Sequence, residues 1–92
     1  MWACIDIDAV GKYHPNKNLK GVDQIKQAMA DIGLVEALEF QSSFSRGIHL
    51  FYPLSSAVKI WDLACALAYA CRTKKLNVSN GDLELRPNTK KL

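Results

Sequence analysis

The sequence predicts a single α+β domain in which two helices cover one face of a four-stranded antiparallel sheet, in the order βαββαβ. Three observations carry this. Four short segments are rich in strand-forming residues and alternate between two faces at a two-residue period. Two longer segments repeat apolar residues at helical spacing. Stretches rich in Gly, Asn, Ser and Pro separate them.

The first strand is expected over residues 2–9, "WACIDIDA". It places Ile5 and Ile7 on one face and Cys4, Asp6 and Asp8 on the other. "GKYHPNKNLKG" follows as a loop, and His14 within it is expected to serve loop structure rather than a site. "VDQIKQAMADIG" sets Val22, Ile25, Met29 and Ile32 at helical spacing, with Gly33 as the stop. The second strand is expected in "LVEALEFQSS", with Leu34, Leu38 and Phe40 on the covered face and Glu39, Gln41 and Ser43 on the opposite one. Glu36 is the polar exception among the former. A turn at "FSRG" leads to the third strand, "GIHLFYPL". Ile48, Leu50 and Tyr52 point one way there, and Gly47, His49 and Phe51 the other.

The second helix is expected over residues 55–75, capped by Ser55 or Ser56, with Arg72, Lys74 and Lys75 suiting its C-terminal end. Trp61 is expected in the core against the sheet. "NVSNGD" is a turn. "DLELRPN" is the fourth strand, with Leu83 and Leu85 inward and Asp82, Glu84 and Arg86 outward. The basic tail with Lys90 and Lys91 is expected to be a solvated end. This order is the split-βαβ, or ferredoxin-like, arrangement, whose first strand lies between the third and the fourth.

Composition agrees with a soluble globular domain. The 92 residues are 49% apolar and 23% charged, enough for one modest core. A net charge of +3 permits a nucleic-acid partner without demanding one. Cys4, Cys65 and Cys71 are odd in number and lack CxxC spacing. They read as small buried side chains in a reducing compartment, not as a disulfide frame or a zinc site. No apolar run reaches the ~18 residues of a membrane span, and no basic region followed by a long apolar run opens the chain. The expected location is the cytoplasm.

With the covered face filled by apolar residues, the open face collects Asp6 and Asp8, His49 and Phe51, and Glu84 with Asp82 and Arg86. Residues i and i+2 of a strand stand about 7 Å apart on one face, so the two aspartates can share one divalent ion or grip two. Mg²⁺ or Mn²⁺ suits carboxylate oxygens and retains sites for water and phosphate. Two such ions about 4 Å apart can stabilise both oxygens of a phosphoryl transfer.

"CIDIDA", "SSFSRGIHLFYPL" and "GDLELRPNTK" resemble, in order, the three signature segments of the archaeo-eukaryotic primase superfamily, in particular the primase–polymerase palms of plasmids, phages and bacteria. These segments are an apolar strand bearing DxD, a Ser-containing turn followed by G-x-H on a strand, and an acidic residue on a late strand. The resemblance spans nearly the whole chain. It implies an RRM-like βαββαβ palm that polymerises nucleoside triphosphates on a DNA template and primer, in replication or repair. By position, Asp6, Asp8 and Glu84 would be the catalytic carboxylates that bind Mg²⁺ or Mn²⁺. His49, with Ser43, Ser45 and Arg46, would contact the nucleotide's phosphates. Many relatives have a Ser-Gly pair and a further glycine where this chain reads Ser45-Arg46-Gly47, and Arg86 stands where they often carry an apolar residue. Active members usually have a further module before the palm and more chain after the third segment. The chain is therefore expected to be a fragment or minimal form of a larger catalytic module, with a helicase or other replication domain as a natural companion.

Two alternatives stand beside this. One is an RRM-like nucleic-acid-binding module that needs no metal, with Phe51 stacking on a base and Arg46 on a phosphate. "RGIHLFY" resembles the basic-Gly-aromatic segment of such modules, although Asp6 and Asp8 stand where they usually carry an aromatic ring. The other is a primase relative that has lost catalysis.

Overall fold

The computed structural model describes residues 1–89. Its elements are β1 (Trp2–Ile7), α1 (Gly21–Asp31), β2 (Leu38–Gln41), β3 (Ile48–Pro53), α2 (Ile60–Thr73) and β4 (Leu83–Arg86). The sheet order is β2-β3-β1-β4 and every pairing is antiparallel. The βαββαβ architecture is therefore the one expected, with β1 between β3 and β4. Lys90 and Lys91 lie outside the described residues. No helix among the described residues is long and apolar enough to cross a membrane.

Strict alternation on three strands builds one wall of the core. Ala3, Ile5 and Ile7 of β1, Ile48, Leu50 and Tyr52 of β3, and Leu83 and Leu85 of β4 are all buried. Helix α1 lays Ile25, Ala28 and Met29 against this wall, and α2 adds Leu63, Ala64, Leu67, Ala70 and Cys71. Helix α1 stops where Gly33 turns left-handed at φ +91°. The Gly33 and Leu34 amides donate back to the carbonyls of Ala30 and Met29, satisfying the last turn. Gly21 opens α1 where the Tyr13 backbone comes so close that a Cβ would collide with the Tyr13 carbonyl.

Three expectations about the elements need correction. First, β2 is only four residues long and faces the other way. Leu38 and Phe40 pair with Phe51 and His49, which puts them on the open face. Glu39 pairs with Leu50 on the helix side, where its carboxylate meets Lys26 of α1 at 2.8 Å. This edge strand contributes nothing to the buried core, so hydrophobicity does not fix its facing; the hairpin register does. Second, α2 begins at Ile60, with Lys59 at its N-cap and no side-chain cap, so Ser55 and Ser56 cap nothing. Third, Trp61 is 53% exposed. It precedes Leu63 by two positions, about 200° around the helix and off the buried stripe.

The core holds two groups whose ionisation opposes folding. Tyr52 is buried, and its hydroxyl finds no hydrogen-bond partner among the described residues. Burial, and then the nearby Glu39 charge, push it up to about 12. Burial pushes the Cys71 thiol up to about 11. In the unfolded chain these groups ionise near their ordinary values of 10.0 and 9.0. The folded state therefore retains protons that the unfolded state loses, so their contribution to stability is complete below about pH 9 and declines towards pH 12. Urea unfolding is expected to show this decline. Tyr52→Phe is expected to raise stability near neutral pH by about 1 kcal/mol, because it removes a buried hydroxyl without a partner, and to flatten the decline.

Candidate functional site on the open sheet face

Directly opposed residues on antiparallel strands share a face, so the pairing register places the open-face side chains in rows. One row runs Phe40, His49, Asp6, Glu84 from β2 to β4. The next runs Leu38, Phe51, Cys4, Arg86. The face is thus divided. Its β2 side is apolar, and Trp2, Leu38, Phe40 and Phe51 line a shallow depression there. The rings of Trp2 and Phe40 each meet Phe51 edge-on, at centroid distances of 6.1 and 5.6 Å. The β1–β4 side is polar and ionisable.

Asp6 is the hub of the polar half. Its side chain is 15% exposed, and both carboxylate oxygens are engaged. Oδ2 accepts from Arg86 Nε at 2.6 Å. Oδ1 lies 3.1 Å from His49 Nδ1 and accepts a weak bond from the Cys4 thiol at 3.4 Å. The His49 ring lies 24° from parallel to Phe51, joining the two halves of the face. Glu84 stands opposite Asp6, half-buried, and its side chain makes no hydrogen bond or ion pair among the described residues.

Asp8 falls just beyond the end of β1. Its amide donates to the Asp82 carbonyl, and its Oδ1 accepts from the Val10 amide at 3.0 Å. It shapes an Asx-type turn at the mouth of the next loop. Asp82 plays the same part from the other side. Its carboxylate accepts from the Lys12 amide at 2.9 Å, and that bond holds it below the usual carboxylate range.

The hairpin carrying Ser43, Ser45 and Arg46 lies between β2 and β3, at the same end of the sheet. Ser43 is an exposed turn residue rather than a strand residue of the open face. Ser45 Oγ accepts from the Gly47 amide at 3.3 Å. Arg46 takes the left-handed region at φ 64°, and its side chain is exposed. Its carbonyl accepts from Gln41 Nε2 at 3.3 Å and lies 2.9 Å from His14 Nε2. His14 is buried, and its Nδ1 accepts from the Asn16 amide, so Nε2 is the nitrogen that donates to Arg46. His14 is loop structure, as expected. It pins the β1–α1 loop to the hairpin.

No family model, curated protein or solved structure matches this chain.

Among the described residues, one group brings metal-ligating atoms together: Cys4, Asp6 and His49, all within 4.8 Å of one another. Of the expected carboxylates, Asp6 is in that group, while Asp8 and Glu84 flank it. Sequence reasoning placed Arg86 on this face but did not see it as the partner of Asp6. It also missed the part of Ser42, whose backbone and Oγ organise the hairpin. Of the three cysteines expected to be small buried side chains, only Cys71 is buried, while Cys4 and Cys65 are partly exposed. A signal for the part of Cys4 was present in its i, i+2 spacing from Asp6.

Burial, then the Asp6 charge and its hydrogen bond, push the Cys4 thiol up to about 12. Asp6→Asn removes the negative charge while keeping the shape. It is expected to lower the Cys4 value, with burial still holding it above the ordinary 9.0. Thiolate absorbance followed against pH in a Cys65→Ala, Cys71→Ala background measures this, and an unchanged value contradicts it.

Proposed function

We propose that this domain is a primase-like palm, a nucleotidyltransferase transferring nucleotides from triphosphates to a primer on a DNA template, in cytoplasmic replication or repair. The observation that supports it is the row His49, Asp6, Glu84 across three adjacent strands. It sets two acids side by side on an open face, with the His49 imidazole, a hydrogen-bond donor for phosphate oxygens, next to them.

The donor chemistry fits a hard divalent cation. Opposed carboxylates on neighbouring strands repel, and Glu84 has no charge partner among the described residues. Asp6 and Glu84 would hold Mg²⁺ or Mn²⁺, and Asp8, held by a single backbone N–H on its carboxylate, would join them. The ion would neutralise charge on the transferring phosphoryl group and orient the attacking hydroxyl. His49 donates to a phosphate oxygen from the strand beside Asp6. Arg86, 68% exposed on the other side of Asp6, has the reach to do the same. Arg46 and Ser45 border the polyphosphate end on a hairpin held rigid by Ser42, Gln41 and His14.

A second reading is favoured by the aromatic half of the face. Trp2, Phe40 and Phe51 offer ring surface to unpaired bases, which would make the domain a single-strand-binding module that needs no metal.

Titration with a nucleoside triphosphate and Mn²⁺ separates the two. Binding is expected in Mn²⁺ and is expected to vanish with chelator. Asp6→Ala is expected to abolish it. His49→Ala is expected to weaken nucleotide binding about tenfold, roughly 1.4 kcal/mol, while Mn²⁺ affinity changes less. Nucleotide or single-strand binding that ignores chelator defeats the primase-like reading and favours the stacking module.

A further inference from the structure

We propose that Cys4, Asp6 and His49 form a site for a thiophilic transition ion, Zn²⁺ in the first instance, distinct in chemistry from the hard-cation site above.

The separations of the donor atoms support this. Zinc bonds of about 2.0–2.3 Å in a tetrahedron put neighbouring ligand atoms about 3.3–3.6 Å apart. Cys4 Sγ lies 3.4 Å from Asp6 Oδ1. His49 Nδ1 lies 3.1 Å from the same oxygen. The third separation is within 4.8 Å. Two of the three separations thus come within about 0.2 Å of tetrahedral spacing before any ion binds, and the third donor pair lies within 4.8 Å.

The donor types set the selectivity. Thiolate and imidazole favour Zn²⁺ over Mg²⁺, which prefers oxygen and octahedral geometry. The surroundings also suit an ion. Arg86 holds Asp6 Oδ2 at 2.6 Å, which leaves Oδ1 as a single, oriented ligand. Phe51 pairs with Cys4 and stacks near His49, giving the site one apolar wall. Three protein ligands on an open sheet face leave the fourth position to water or to a ligand atom. Binding replaces the Cys4 S–H bond with an S–metal bond and releases that proton to solvent.

The sequence pattern did not show this because no two ligands are arranged as in a zinc-finger pair. Cys4 and Asp6 are i, i+2 on β1, and His49 comes from the neighbouring strand.

One consequence rests on the nucleotidyltransferase reading. Zn²⁺ would occupy Asp6 and His49 together, so it would compete with nucleotide rather than assist it.

Co²⁺ titration of the purified chain at neutral pH tests the site. The wild type is expected to show a thiolate-to-Co²⁺ charge-transfer band in the near ultraviolet, with visible bands of four-coordinate intensity. Zn²⁺ is expected to bleach both, whereas millimolar Mg²⁺ is not. Cys65→Ala is expected to keep the bands. Cys4→Ala is expected to remove the charge-transfer band and weaken Zn²⁺ binding at least a hundredfold. Cys4→Ser supplies the same comparison should the alanine variant fold poorly. Absence of a thiolate band in the wild type overturns the proposal, as does a band that survives loss of Cys4. Mn²⁺-dependent nucleotide binding on the same samples reports separately on the nucleotidyltransferase reading. Its absence beside an intact thiolate band defeats that reading and leaves this site standing.

Discussion

The pleat of the central strand decides almost everything else in this molecule. Ile5 and Ile7 are sealed beneath the helices, and Asp6 between them must therefore face outward. A slip of one residue would bury the Asp6 carboxylate and the Cys4 thiol and expose two isoleucines. Burying an unpaired charge costs several kcal/mol, so the register of β1 is strongly enforced. Once it is set, the antiparallel ladders place His49 and Glu84 beside Asp6 without further specification. The polar cluster follows from sheet geometry rather than from any side-chain contact that has to form first.

A second layer of order lies at the end of the sheet where β1 stops. Three connections meet there and are tied by hydrogen bonds distant in sequence. Asp82 accepts from the Lys12 amide, Tyr13 Oη accepts from the Asn77 amide at 2.6 Å, and His14 meets the Arg46 carbonyl. Each tie pairs a side chain of one connection with a backbone group of another. The loops bordering the candidate site are therefore parts of one network. The side chains left unoccupied by that network, Arg46 and Glu84 among them, are the ones available to a ligand.

Much of this was legible in the sequence where burial enforces a pattern. The alternation in β1, β3 and β4, the helical spacing of Ile25 and Met29, and the stop at Gly33 are each imposed by the core or by backbone sterics. Reading failed where the core exerts no hold. Strand β2 is an edge, so its two apolar residues could face either way, and the pairing of Glu39 with Lys26 accompanies the facing it takes. Trp61 is large and apolar, yet it lies off the stripe of Leu63, Ala64, Leu67, Ala70 and Cys71 that α2 buries. The partnership of Asp6 with Arg86 spans 80 residues and depends on cross-strand register, which no local pattern encodes. The same is true of the convergence of Cys4 with His49.

The facing of β2 has a bearing on how the molecule behaves in concentrated solution. An edge strand presents unpaired amides and carbonyls, and this one also turns Leu38 and Phe40 to water, with Phe44 fully exposed in the turn that follows. A net charge of only +3 gives weak mutual repulsion between copies. Colloidal stability therefore falls to local features of the strand. Its four-residue length limits the ladder that a second chain could add, and the Glu39–Lys26 ion pair keeps a charged pair at its middle. Strand β2 is thus both the border of the aromatic surface and the place where self-association would begin.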